Sequence, residues 1–144
     1  MLPRYRTGID AATGGLLVGW PHVAQSLAKV WLTRPDTRPM LLAFGSDVRG
    51  LLAEDVTPDL ALDLYDRLAT AAHAHEPEYR LSTLQLVSLT REGGLGVRHA
   101  GTYYPEGRFG NFAIAEAVGT VFRAGSRTAA AAIGADIAGE RIAA

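Results

Sequence analysis

The sequence predicts a small single α+β domain, with about three helices packed on a small antiparallel sheet that includes a β-hairpin. Its 144 residues fall within the usual size of one domain, two segments place apolar residues at helical spacing, and two later segments have strand-like composition. We expect an N-terminal arm over residues 1–19, the α+β domain over 20–123, and an alanine-rich C-terminal tail over 124–144 that is docked or disordered.

The first half of the chain contains the helical patterns. Turn signals in TGGLLVG indicate an irregular arm or short edge strand. The next segment predicts a helix with Pro21 in its first turn, and its apolar face is formed by Val23, Leu27, Val30 and Trp31. The two prolines of TRPDTRP end that helix in a loop. A short helix capped by Ser46 or Asp47 should follow and end by Glu54.

The clearest helix begins with Thr57 as its cap and Pro58 at its first position. Its apolar stripe consists of Leu60, Leu64, Leu68 and Ala71. It should stop near His75, because Pro77 forces the preceding residue into an extended conformation.

The second half of the chain has strand patterns. YRLSTLQLVSLT and LGVRHAGTYY predict two antiparallel strands joined by a turn at REGG. Two strands alone are marginally stable, so we expect a third strand from FAIAEAVGTVF or from the N-terminal arm.

Composition and charge exclude several classes of function. Fourteen basic against fifteen acidic residues provide no field that would attract nucleic acid or anionic membranes. The absence of cysteine excludes disulfides and thiolate zinc sites. Since there is neither a signal-peptide pattern nor an apolar run of about 18 residues, we expect a soluble product made in the cytoplasm.

Two carboxylates flank a proline in HEPEYRL, which raises the question of acid/base catalysis. Glu76 and Glu78 would lie about 7 Å apart on one face of an extended segment, a distance compatible with glycoside hydrolysis. The sequence supplies no aromatic and amide-rich cleft for a sugar chain, so we interpret the pair as structural. His73 and His75 are two apart and share no helical face, which argues against a metal site.

The remaining catalytic patterns are also absent. TGIDAATGG lacks the GK[ST] of a phosphate-binding loop, and FGSD lacks the nucleophile elbow of a serine hydrolase. We therefore expect no enzymatic activity and no cofactor, and we interpret the chain as a binding or assembly module.

Three motifs resemble a known family. They are TGGLLVGWPHVAQSL (with Thr13, Gly14, Leu17, Gly19, His22, Gln25 and Ser26), TRPDTRPMLLAFGS (with Thr33, Arg38, Met40, Phe44, Gly45 and Ser46) and HEPEYRL (with Glu76, Pro77 and Leu81). In this order and spacing, over residues 8–90, the chain resembles the phage baseplate wedge family. That family includes the gene W product of P2-like phages and the sheath-initiating wedge protein of T-even phages.

The resemblance implies a small α+β structural protein of a contractile-tail baseplate or a related injection machine. It would be assembled in the host cytoplasm, bind other baseplate wedge proteins, and nucleate the tail sheath. A partner strand could then add to its sheet by β-augmentation. Two alternatives stay open: a cell-wall hydrolase, which is an old label in this family, and a regulatory adaptor that shares the fold.

The resemblance also suggests residues for partner contacts. The family pattern at the corner is Glu-Pro-Arg; Glu76 and Pro77 match it, Glu78 departs from it, and Arg80 is a candidate replacement for the arginine. Arg38 is either an internal carboxylate partner or an interface residue. His22 and Gln25 share a helical face that either makes a polar contact or is solvated.

Overall fold

The computed structural model describes residues 2–51, 57–90 and 94–124. Its elements, in chain order, are β1 (Thr7–Ile9), β2 (Leu16–Val18), α1 (Trp20–Leu32), α2 (Val48–Leu51), α3 (Pro58–His75), β3 (Tyr79–Leu89), β4 (Leu95–Tyr103), a 3-10 turn (Gly107–Phe109) and β5 (Glu116–Ala124). The predicted α+β class is confirmed, and the described residues contain two long helices, α1 and α3, and the short helix α2 between them.

The N-terminal arm is more regular than the sequence suggests. β1 and β2 form a two-stranded antiparallel hairpin in which Ile9 is opposite Leu16. The arm therefore does not supply the third strand of the main sheet. That strand is β5, the first of the two predicted sources.

The main sheet is antiparallel in the order β3-β4-β5. His99 on the central strand lies between Leu84 of β3 and Thr120 of β5. Two irregularities interrupt the β3–β4 pairing, one after Leu81 and one after Leu86. The central strand is buried at alternate positions facing the helices, as the alternation in LGVRHAGTYY predicts.

α3 begins as the sequence predicts, because the Thr57 side chain accepts a hydrogen bond from the Leu60 amide at 3.2 Å. α3 packs on β3, and α1 packs on both α3 and β5. Trp31 is buried where these contacts meet, and its indole nitrogen donates to the Leu68 carbonyl at 3.0 Å. The predicted apolar stripes of both helices thus form the core.

The core contains a histidine that the sequence reasoning did not single out. His99 is buried, and its Nδ1 lies 2.9 Å from the Tyr79 hydroxyl. The ring packs edge-on against Trp31, with centroids 5.0 Å apart. Burial lowers the pKa of His99 to about 4, so the ring is neutral at physiological pH.

Several predicted features lie outside the described residues: the end of the short helix at Glu54, most of the REGG turn, and the tail from residue 125 onward. Ala124, which we assigned to the tail, is the last residue of β5. Phe44, a residue of the second motif, is half-buried and packs against the edge of the core. No described helix is long and apolar enough to cross a membrane.

Candidate functional site

The corner between α3 and β3 is the candidate site, because it places two glutamates side by side in the protein interior. α3 ends at His75, and the Glu76 amide still donates to the Ala72 carbonyl at 2.9 Å. Pro77 then turns the chain into β3, as the sequence predicts. The Glu78 carbonyl accepts a 2.7 Å hydrogen bond from the Tyr104 amide, which fixes the corner to the end of β4.

The Glu76 carboxylate connects three segments of the chain. It is only 3% exposed. Arg6, which precedes β1, donates from Nη1 to Glu76 Oε2 at 2.7 Å. Ser26 on α1 donates its hydroxyl to the other carboxylate oxygen. Glu76 therefore holds the N-terminal arm and α1 against the corner.

The Glu78 carboxylate is fully buried but less well satisfied. Arg6 Nη1 lies 3.8 Å from its Oε2, and Arg108 Nη1 lies 3.2 Å from its Oε1. Neither carboxylate oxygen has a hydrogen-bond partner among the described residues. Burial raises the pKa of Glu78, and the charges of the two arginines oppose that rise.

Two further polar groups face this region without a hydrogen bond from the described residues. They are the buried Nδ1 of His22 and the hydroxyl of Tyr103. Burial, with a smaller effect from the positive charge of Arg6, lowers the pKa of His22. Burial and the negative charge of Glu78 raise the pKa of the Tyr103 hydroxyl. We call Arg6, His22, Glu76, Glu78, Tyr103 and Arg108 the carboxylate cluster.

The predicted contact residues fall into two groups. Gln25 belongs with the arm, since its amide donates to the Ile9 carbonyl at 3.0 Å and accepts from the Ala11 amide at 2.8 Å. His22 lies so close to Gly8 that a Cβ at residue 8 would be 2.0 Å from its ring. The shared face of α1 is therefore covered by the chain's own hairpin.

Arg38 and Arg80 lie outside the carboxylate cluster. Arg38 places its guanidinium 4.3 Å from the centre of the Phe44 ring, and Arg80 lies 5.6 Å from that of Phe112. Both arginine side chains are on exposed residues. The arginines that reach the corner are Arg6 and Arg108, not the Arg80 that we considered as the replacement.

The two edges of the main sheet differ. On the outer edge of β3, the Leu81 amide donates to His73 Nε2 at 3.1 Å and the Leu86 amide donates to the Tyr65 hydroxyl at 3.0 Å. Side chains of α3 thus occupy backbone donors that a further strand would need. Within the described residues, no strand pairs with the outer edge of β5.

The chemistry of the cluster is that of charge pairing. An open groove of about 560 Å³ lies beside the corner, and Glu76 borders it, while Glu78 does not. Two carboxylates flanking a sugar would both have to reach the cleft. The described residues contain no group of acidic or histidine side chains that could hold a metal ion.

Sequence reasoning missed Arg6, Tyr103 and Arg108, and it named Ser26 only as a motif residue, not as a partner of Glu76. Arg6 and Glu76 are 70 residues apart, and neither arginine belongs to a motif. The one available signal was the two uncompensated acids around Pro77, which require basic partners if the corner is buried.

The sequence matches no family model and no curated protein sequence. Similar solved structures include chains of two baseplates. One is a chain of the postcontracted baseplate of pyocin R2, with a TM-score of 0.56 and 23% identity, over 68% of this chain and 98% of that chain. The other is a chain of the six-fold symmetrised baseplate of the anti-feeding prophage, with a TM-score of 0.50 and 21% identity, over 85% of this chain and 84% of that chain. The predicted resemblance to baseplate proteins is confirmed at the level of the fold.

Proposed function

We propose that this chain is a non-enzymatic structural subunit of the baseplate of a contractile phage tail or a related injection machine. The observation that carries the proposal is the fold shared with chains of two baseplates, one of which is matched over 98% of its length. In this role the chain binds neighbouring baseplate wedge proteins and nucleates assembly of the sheath.

The sheet suggests how a partner binds. Backbone donors on the edge of β3 are occupied by His73 and Tyr65, whereas β5 has an outer edge without a strand in the described residues. We expect a partner strand to add beside β5. Hydrogen exchange tests this directly: binding of sheath or wedge proteins should slow the exchange of β5 amides and leave β3 amides unchanged. Protection confined to β3 would contradict it.

The burial of the two glutamates argues against the hydrolase alternative. Glu78 is fully buried, and both carboxylates lie close to Arg6. Glu78 does not border the groove beside the corner, whereas both carboxylates of a glycosidase must reach the sugar. Peptidoglycan cleavage that disappears in a Glu76→Gln variant would overturn this conclusion.

Deletion of the gene in a particle-producing strain tests the function as a whole. We expect baseplates that fail to start a sheath, visible by electron microscopy, and rescue by the wild-type gene. Normal tails in the deletion strain would contradict the proposal. Co-purification of the chain with a protease adaptor system, instead of sheath and wedge proteins, would favour the regulatory alternative.

A further inference from the structure

The N-terminal strap, which we define as residues 2–19, covers the carboxylate cluster with little apolar burial of its own. Its side chains Ile9, Leu16 and Val18 are exposed on the outer face of the hairpin. Polar contacts join it to the body through Arg6 and Gln25, through Arg4 with Glu106, and through the Tyr5 hydroxyl, which donates to Glu116 at 2.6 Å. A segment held in this way belongs to the weakly protected parts of a fold.

Arg6 is the strap residue that reaches the buried carboxylates in the described structure. Its Nη1 contacts both Glu76, at 2.7 Å, and Glu78, at 3.8 Å. Arg4 offers a matched comparison, because it pairs with Glu106 at 3.3 Å and its own side chain is largely exposed. Exposed ion pairs contribute little, whereas a charge-assisted bond to a buried carboxylate contributes more.

The site beneath the strap is incompletely filled. Both oxygens of Glu78 and the hydroxyl of Tyr103 are buried without a hydrogen bond from the described residues. A guanidinium carries five donors, and a carboxylate accepts two of them in parallel. Arg6 makes one hydrogen bond to Glu76 and none to Glu78, and Arg108 forms an ion pair with Glu78 Oε1 at 3.2 Å. A guanidinium placed more deeply would donate to Glu78 Oε2 and to the Tyr103 hydroxyl, which have no hydrogen bond from the described residues.

Gly19 provides a hinge between the strap and α1. Its φ of 70° and ψ of −132° are accessible mainly to glycine. Its amide donates to the Arg6 carbonyl at 2.7 Å, so the hinge contributes to the closed position of the strap, together with the cluster and the polar contacts named above. The Gly19 carbonyl also accepts from the amides of His22 and Val23 at the start of α1, so a movement of the strap that preserves these bonds would rotate about φ of Gly19.

From these contacts we infer that the strap is a displaceable cover, and that the Glu76–Glu78 site beneath it binds an arginine-bearing extended segment of a partner protein. Arg6 occupies this site within the chain until the partner's arginine replaces it. The inference deepens the proposed function by naming the chemistry of one partner contact, and it depends on that function only for the existence of such a partner.

Hydrogen exchange on the full chain tests whether Arg6 holds the strap in its closed position. We expect Arg6→Gln to speed exchange of the Ala11 amide, which bonds to Gln25, by about tenfold or more, since a hydrogen bond to a buried charge is lost. Amides of α3 should be unchanged, which shows that the fold persists. Arg4→Gln should leave the Ala11 amide as in the wild type. Unchanged exchange in Arg6→Gln would show that Arg6 does not hold the strap closed and would overturn the inference.

Peptide binding tests the site. The probe is a synthetic peptide of residues 3–7, PRYRT, titrated into the full-length Arg6→Gln chain. The readout is intrinsic tryptophan fluorescence, because the Trp20 ring lies 6.1 Å from that of Tyr103 in the cluster. We expect binding at least tenfold tighter than to wild type, whose own Arg6 competes. The same peptide carrying Arg6→Gln should not bind. Adding Glu78→Gln to the chain should weaken binding.

The outcomes separate this inference from the proposed function. Binding that is equal for both peptides, or insensitive to Glu78→Gln, would overturn the arginine site while leaving the gene-deletion result untouched. If Arg6→Gln fails to fold, Arg6→Lys keeps the charge but removes the planar fork. We then expect faster exchange of the Ala11 amide together with an intact α3; no change in exchange would overturn the inference.

Discussion

Arg6 and Glu76 are 70 residues apart in the sequence, and their side chains are joined by a 2.7 Å hydrogen bond in the structure. The same carboxylate accepts the hydroxyl of Ser26 on α1. A single glutamate at the end of α3 thus fastens the N-terminal hairpin and α1 to the start of the main sheet. Glu78 lies beside it with both oxygens lacking hydrogen bonds from the described residues, so the two acids of the corner are not equivalent.

Glu76→Ala should impair tail assembly more than Glu78→Ala. Removing Glu76 eliminates two direct hydrogen bonds and leaves Arg6 half-buried without its nearest partner, which we expect to lower the free energy of unfolding by about 3 kcal/mol. Removing Glu78 eliminates no hydrogen bond from its side chain. Counting sheathed tails by electron microscopy and measuring chemical denaturation for both variants checks this. Equal effects would refute the distinction between the two acids.

Glu78→Gln should leave the protein as stable as the wild type or more stable at neutral pH. The pKa of Glu78 is raised in the folded state, so the Glu78 carboxyl group keeps its proton in the folded protein at pH values where the unfolded chain has lost it. Stability from this group therefore falls as pH rises from about 4.5 through the folded pKa. Glutamine removes that loss. Urea unfolding at several pH values should show that the free energy of unfolding of the variant increases relative to that of the wild type as pH rises. A relative decrease would contradict the prediction.

The sequence predicted the parts of the fold that depend on local pattern. Thr57 and Pro58 marked the start of α3, and Pro77 marked its end. The alternation around Val97 marked β4. These features are encoded by neighbouring residues, because caps, prolines and strand alternation act within a few positions.

The partners of the corner could not be predicted in the same way. Arg6 meets Glu76 only because the hairpin folds back over α1, and Arg108 meets Glu78 only through the loop after β4. Arg80 would replace the corner arginine if residues 78 and 80 were in one continuous strand, because alternate residues of a strand share a face. In the structure Glu78 belongs to the turn before β3, and Arg80 instead packs on Phe112.

The buried histidine of the core should make stability depend on pH on the acidic side. His99 has a folded pKa of about 4 against an ordinary value of 6.5, so the unfolded chain takes up a proton that the folded protein does not. The contribution of His99 to the free energy of unfolding is therefore complete above about pH 6.5. It is lost as pH drops toward 4, and the loss is up to about 3 kcal/mol.

A His99→Phe variant isolates this effect. It should be less stable at neutral pH, because the Tyr79 hydroxyl loses its buried partner, yet it should lack the loss of stability between pH 6.5 and 4. The difference in unfolding free energy between variant and wild type, measured at each pH, is the appropriate quantity. A difference that stays constant with pH would contradict the assignment to His99.

Gly45→Ala should destabilise the protein more than Gly110→Ala, although both glycines have positive φ values. A Cβ at residue 45 would lie 2.2 Å from the Thr33 carbonyl oxygen, a backbone atom at the end of α1, whereas a Cβ at residue 110 meets nothing within 4 Å. Gly110→Ala should therefore cost only the left-handed backbone penalty, about 1–2 kcal/mol. Gly45→Ala adds a backbone displacement where the Ser46 amide bonds to that carbonyl. Thermal unfolding of the two variants gives the comparison. A Gly45→Ala chain as stable as Gly110→Ala would contradict the prediction, because it would show that the backbone after α1 can shift without a loss of stability.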